Sequence, residues 1–355
     1  MIALQVVVFV AGLLLVVRAL VSEIRTFVVP RGAYDSISST EFRIIGSLFG
    51  RIARPSLGYE RRDAILALFA PVGLVVLPAV LLALVLVGFA AMFWALAPGP
   101  VEAAARESGS ALLTLGFAPI QGWPALVLSF AEAAIGLILV ALLIAYLPTM
   151  YTAFQRREAF VAKLGVRAGT PASGTELLIR FWGAGQLELL TDLWTEAETW
   201  FIDLEESHTT LAALPFYRSP RSSRSWITAA GAVLDGASLL RSTIDVPVEA
   251  RADLAITAGY ATLDAIAGFF RIPTIARPAR PDGPIKVTQA EFDAAVDELT
   301  RAGLPVRADH DQAWRDFAGW RVNYEDALLR LSVIVVAPDA RWNEAGRRPA
   351  RAGIR

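Results

Sequence analysis

The sequence predicts an all-α membrane protein: three transmembrane helices with a re-entrant loop between the last two, then a helical domain on the cytoplasmic side. Three observations carry that expectation. The 355 residues are 55% hydrophobic with a mean hydropathy of +0.50, high for a soluble chain. Before residue 148 the apolar residues gather in three runs, each close to or beyond the roughly 20 residues needed to cross a bilayer. After residue 148 they change to stripes at helical spacing.

Composition also limits the chemistry. A net charge of -1 leaves no footprint for nucleic acid. The absence of cysteine excludes disulfides, thiolate metal sites and cysteine nucleophiles. His208 and His310 are too few for a histidine metal cluster within one chain, so no metal centre is expected. The sequence holds no Gly-rich phosphate loop after a strand, dinucleotide fingerprint, nucleophile elbow or metal-binding helix motif, and no enzyme is expected.

Residues 1–20 form the first span. They lack a basic residue in front and a small-residue cleavage signal, which favours a retained anchor over a signal peptide. Residues 21–63 form a polar loop carrying Arg25, Arg31, Arg43, Arg51, Arg54, Arg61 and Arg62, and such enrichment places a short loop in the cytoplasm. Residues 64–148 form the next unit. Its first apolar run is longer than a bilayer needs, and Pro71 and Pro78 kink or end the inner turns, so the span covers residues 72–96. Trp94 and Trp123 anchor the same membrane face, and the segment between them faces outside.

That outer segment opens with Pro100 and Glu102, both favourable at a helix start, and becomes apolar before Thr114-Leu115-Gly116-Phe117. A half-length helix ending at depth turns the negative end of its dipole toward any cation held there. Non-helical backbone at that depth is tolerated only where protein buries it or it lines water. The four residues otherwise read as an ordinary loop at a helix end. The last apolar run, residues 123–147, carries Glu132 and Gly136. Glu132 faces a cavity or the half-helix, or pairs with Arg106. Gly136 is a hinge or a point of close helix packing.

The order of span, half-helix, Thr-Leu-Gly-Phe and span resembles the pore module of two-transmembrane potassium channels over residues 72–147. In that family a Thr-Val/Ile-Gly-Tyr/Phe-Gly filter uses backbone carbonyls and the threonine hydroxyl in place of the water around a potassium ion. The resemblance implies a selectivity filter of Thr114, Leu115, Gly116, Phe117 and Ala118, with K+ as its occupant. It implies an inner helix on which Glu132 and Gly136 line or hinge the pore. Partners would be membrane lipid, monovalent cations and copies of the same chain, four around one axis, in the plasma membrane. Ala118 stands where the family has its second filter glycine, and Pro119 where an acidic residue is common. A Cβ at 118 resists the conformation that glycine permits, so the alternative is a non-conducting scaffold or sensor that keeps the pore fold.

Pro148 marks the inner boundary, and Arg156, Arg157, Lys163 and Arg167 place the rest of the chain in the cytoplasm. Residues 149–271 form a helical domain. Met150, Phe154, Phe160, Val161 and Leu164 recur at helical spacing, either along the inner leaflet or as a continuation of the inner helix. Ser173 and Glu176 have capping-box spacing, opening a helical tract to about residue 213. Its stripe of Leu187, Leu190, Leu193, Trp194, Ala197, Trp200, Phe201 and Leu204 faces a core. Glu196, Glu198, Asp203, Glu205, Glu206 and His208 read as a solvated face rather than a metal or proton sensor. The basic loop Ser219-Pro-Arg-Ser-Ser-Arg-Ser225 is an interhelix loop or meets phosphate or anionic lipid. Residues 222–244 and 248–270 give two more helices. Residues 272–355 comprise a proline-rich linker, a helix capped by Thr288 and Glu291, a helix opened by Asp309 or Asp311 and reaching residue 331, and a mobile basic end. Trp314, Phe317 and Trp320 read as packing rather than a binding cage.

Overall fold

The computed structural model describes residues 1–29, 35–185, 187–247, 250–273 and 283–344. Among them regular structure is helical, apart from one isolated antiparallel bridge between Ile244 and Val306. Three helical runs are long and apolar enough to cross a membrane: Ile2–Phe27, Tyr59–Leu96 and Trp123–Arg167. The chain divides into one unit of Met1–Ile52 with Leu68–Thr152 and another of Ala53–Ala67 with Ala153–Arg355.

In the first unit α1 (Ile2–Phe27) lies along α4 (Phe69–Leu96). The two helices meet glycine to glycine. A Cβ on Gly12 would overlap the Gly88 carbonyl oxygen, and one on Gly88 would sit 2.6 Å from Val16 and 2.8 Å from the Gly12 oxygen. Such small residues let helices approach where lipid supplies no hydrophobic drive. The first span therefore runs past residue 20 and packs as part of the unit. The stretch 21–63, expected as a loop, carries α2 (Ser36–Ile52) and α3 (Tyr59–Leu66). Asp35 starts α2 by accepting from the Ile37 and Ser38 amides at 2.9 and 3.0 Å, and Arg18 and Ser22 of α1 hold the same carboxylate. Phe42 and Phe49 then meet Phe69 edge-on. Arg31 falls outside the described residues.

Pro71 lies in the first turn of α4, where no N–H partner is needed, and Pro78 sits inside the helix without ending it. Pro148 likewise lies inside α6 (Trp123–Arg167), which is 45 residues long. Thr149 and Thr152 return hydrogen bonds to Ala145 and Pro148 around the ring. Helix α6 thus runs unbroken from residue 123 to residue 167.

The second unit contains α3, the last turns of α6, and α7 (Gly174–Gly183), α8 (Leu190–Thr210), α9 (Trp226–Thr243), α10 (Ala250–Phe269), α11 (Gln289–Arg301), α12 (His310–Arg321) and α13 (Glu325–Ile334). The predicted stripe is buried from Leu190 to Leu204, where α8 lies along α10. Helix α9 is the centre: every residue except Arg241 is buried. Two expectations change here. Gly183 and Gly185, the latter at φ +65°, break the tract expected to run from 174 to 213. Ser173 is the N-cap of α7, yet its side chain makes no cap bond, and Glu176 accepts from Arg180 at 2.7 Å instead. The Thr288–Glu291 capping box forms in full, and Asp309 caps α12 through the Gln312 amide at 2.9 Å.

The helix expected to reach residue 331 splits into α12 and α13. At the break Arg321 and Tyr324 both turn inward onto Asp235 of α9. Arg321, fully buried, also donates to Glu325 at 2.9 Å and to the Trp342 carbonyl at 3.0 Å. Trp314 and Phe317 pack on Phe292 as core, not as a cage. Most of the proline-rich linker and the basic end from 345 onward lie outside the described residues.

Candidate functional site

The site is the loop between α5 (Val101–Leu112) and α6. Helix α5 is only 12 residues long. It starts at Pro100, and Arg106 pairs with Glu102 at 2.7 Å, so Arg106 is not the partner of Glu132. Residues 113–122 leave helical geometry altogether.

Two serines on α5 organise this loop. The Ser110 carbonyl accepts from the Leu115 and Gly116 amides at 2.9 and 3.3 Å, and its hydroxyl oxygen accepts from the Phe117 and Ala118 amides at 3.0 and 3.1 Å. Four successive N–H groups therefore turn inward onto one residue, a concavity of the kind that alternating backbone handedness creates. The handedness is visible at Thr114, φ +54°, and Gly116, φ +68°. Positive φ is ordinary for glycine and an outlier for a β-branched residue, so Thr114 is held there against its own preference. With the amides spent on Ser110, no donor among the described residues reaches the carbonyls of residues 114–118. Leu113, Leu115 and Phe117 point into the open at 56%, 61% and 61% exposure.

Ser108 ties the same half-helix to both neighbouring spans. Its hydroxyl lies 2.9 Å from the Leu86 carbonyl of α4 and 2.5 Å from Oε1 of Glu132 on α6. A hydroxyl has one proton, so it donates to one of these oxygens at a time, and both contacts are satisfied together only when Glu132 brings a proton of its own. Glu132 is completely buried against α5. Gly136, one turn further on, is the point of closest approach: a Cβ there would overlap the Leu112 carbonyl oxygen and lie 3.2 Å from Leu112 Cδ1. Close packing accounts for this glycine.

The structure thus brings Glu132 and Gly136 to the half-helix that carries Thr114, Leu115, Gly116, Phe117 and Ala118. Neither Ser108 nor Ser110 has a role among the sequence-based expectations. Their signal is two hydroxyls one half-turn apart at the end of a short helix, where serine bonds backbone readily.

In the second unit, Arg157, expected in a positive flank, is buried and donates to Glu158, the Leu214 carbonyl and the Tyr217 carbonyl at 3.0, 2.9 and 2.7 Å. His208 lies beside it with no exposure, and burial together with the Arg157 charge holds its imidazole well below the usual histidine range. It is a neutral core residue. Among the described residues no group of three or more His, Asp or Glu side chains is placed to hold a metal ion. Comparison with protein-family models, curated proteins and solved structures returned no match, so the reading of this site rests on its own residues.

Proposed function

We propose that this chain is one subunit of a multimeric cation channel of the potassium-channel type. A re-entrant loop of Thr114 to Ala118 would form the filter, with no enzymatic activity and with K+ as the only bound cofactor. One observation carries the reading: the amides of residues 115–118 fold back on Ser110, leaving a run of unpaired carbonyls at the end of a half-helix between two spans. Carbonyl oxygens in that arrangement replace the hydration shell of a cation, and the negative end of α5 favours it further.

A single chain offers one loop, and a central pathway needs copies around an axis. The exposed Leu115 and Phe117 fit that requirement, since apolar side chains left open on one copy are suited to burial against another. Four copies in the plasma membrane are proposed. The arginines of residues 21–63 and 156–167 support a cytoplasmic side for the second unit. The continuous α6, whose Phe160, Val161 and Leu164 enter that unit's core, supports a role in assembly or gating. Ala118 and Pro119 favour the second reading, a scaffold or sensor that keeps the pore fold without conducting. The mass of the particle in mild detergent tests the proposal: four copies are expected, and a monomer would rule out a shared central pore.

A further inference from the structure

The second unit has a hollow that the channel reading does not use. Helix α9 is the most buried helix of its unit, and a buried helix start leaves amide donors that must find acceptors. Its N-cap, Ser225, makes no side-chain cap bond. Among the described residues no acceptor reaches the amides of Trp226, Ile227 or Thr228. In front of this helix start is a hollow of about 260 Å³, its open mouth included, which Ser219, Arg224, Ser225 and Trp226 line. Ser219 is 9% exposed and its hydroxyl oxygen has no partner. Arg224 lies flat over Gly165, and its buried Nε is also without one. These donors all belong to the basic loop of residues 219–225 or to the first turn after it.

We propose that this hollow binds a phosphate-type oxyanion. The start of α9 supplies amides and the positive end of the helix dipole, Ser219 and Ser225 supply hydroxyls, and Arg224 supplies the charge. Arg218 also lines the hollow, but its guanidinium is engaged by Asp63, the Tyr59 hydroxyl and the Val335 and Val336 carbonyls. It fixes the wall rather than the ligand, and Asp63 beside it leaves Arg224 as the uncompensated cation. The enclosed part of the hollow is about the size of one water, so the oxyanion sits across its open mouth, with the rest of any larger molecule outside. That chemistry is shared by a soluble phosphate compound and a lipid phosphate headgroup.

The test uses the full chain in phosphatidylcholine nanodiscs, titrated with sodium phosphate against sodium chloride at equal ionic strength while thermal unfolding is monitored. Binding to the folded state raises the midpoint with the logarithm of phosphate concentration once it exceeds the dissociation constant, and Arg224→Gln weakens the apparent affinity at least tenfold. Ser219→Ala removes a hydroxyl with no partner, so the unliganded protein is no less stable while phosphate binds several-fold more weakly. This variant keeps the proposal testable if Arg224→Gln does not fold. Repeating the titration in discs containing phosphatidic acid separates the sources: a raised apparent constant means that a headgroup competes for the hollow, and an unchanged one assigns it to a soluble phosphate. A midpoint that responds equally to phosphate and chloride, or an affinity that neither variant alters, would overturn the proposal.

Discussion

Replacing Gly136 with alanine probes how the half-helix is seated. A Cβ at 136 would overlap the Leu112 carbonyl oxygen, and Leu112 is the last residue of α5. Helices α5 and α6 must part by roughly 1 Å to restore ordinary contact, and overpacking of this kind costs about 1–3 kcal/mol. The displacement is transmitted at once to the loop, because Ser110, which holds four of its amides, lies half a turn away. Two readouts are needed. Thermal unfolding in detergent should show a lower midpoint for Gly136→Ala, whereas Gly268→Ala, with open space at its Cβ position, should be neutral or stabilising. The chain has no cysteine, so Leu115→Cys is a lone thiol whose labelling rate reports the loop. Gly136→Ala should change that rate. A variant as stable as the wild type, with an unchanged labelling rate, would refute the close seating of α5 on α6.

The remaining predictions concern the polar ties. Ser108→Ala removes the link between α4, α5 and α6 and should cost about 1–3 kcal/mol; in contrast Glu132→Gln, whose amide still donates to Ser108, should stay close to wild type, and equal losses in both would sink the proton count at Ser108. His208 keeps a depressed pKa when folded, so below about pH 6.5 the unfolded state binds more protons and stability falls, by at most about 1.4 kcal/mol per pH unit. The stability advantage of the wild type over His208→Asn should therefore shrink between pH 7.5 and 5.5, and a constant difference would mean that the imidazole is not held neutral. Arg321→Gln leaves Asp235 and Glu325 buried without their cation and should cost about 3–5 kcal/mol in denaturant unfolding. A loss under 1 kcal/mol would show that the cluster is not closed to water.

The three spans are legible in the sequence because apolar length alone reports them, and α5 is legible because Pro100 and Glu102 mark its start. The Thr288–Glu291 and Asp309 caps are equally local, since both partners lie within four residues. What escapes reading is the rotation of one helix against another. Gly12 and Gly88 are 76 positions apart, and only the packing of α1 on α4 makes them neighbours. Glu132 could be seen to need a partner, but not that Ser108 would supply it. Whether the helix continues past Pro148 is open in the sequence, because a proline removes one N–H bond and crowds the preceding turn; the turns on both sides persist here. Arg157 looks like a surface charge because its carbonyl partners, at Leu214 and Tyr217, are set by a distant 3-10 turn.

The most direct measurement is ion flux in liposomes containing the purified protein, with potassium and sodium gradients compared side by side and Gly116→Ala as the internal control. A cation pore built on residues 114–118 gives flux that favours potassium and is lost or altered when a Cβ is forced into the φ +68° position. Flux that is absent across voltage and pH, or that Gly116→Ala leaves unchanged, would contradict conduction through this loop.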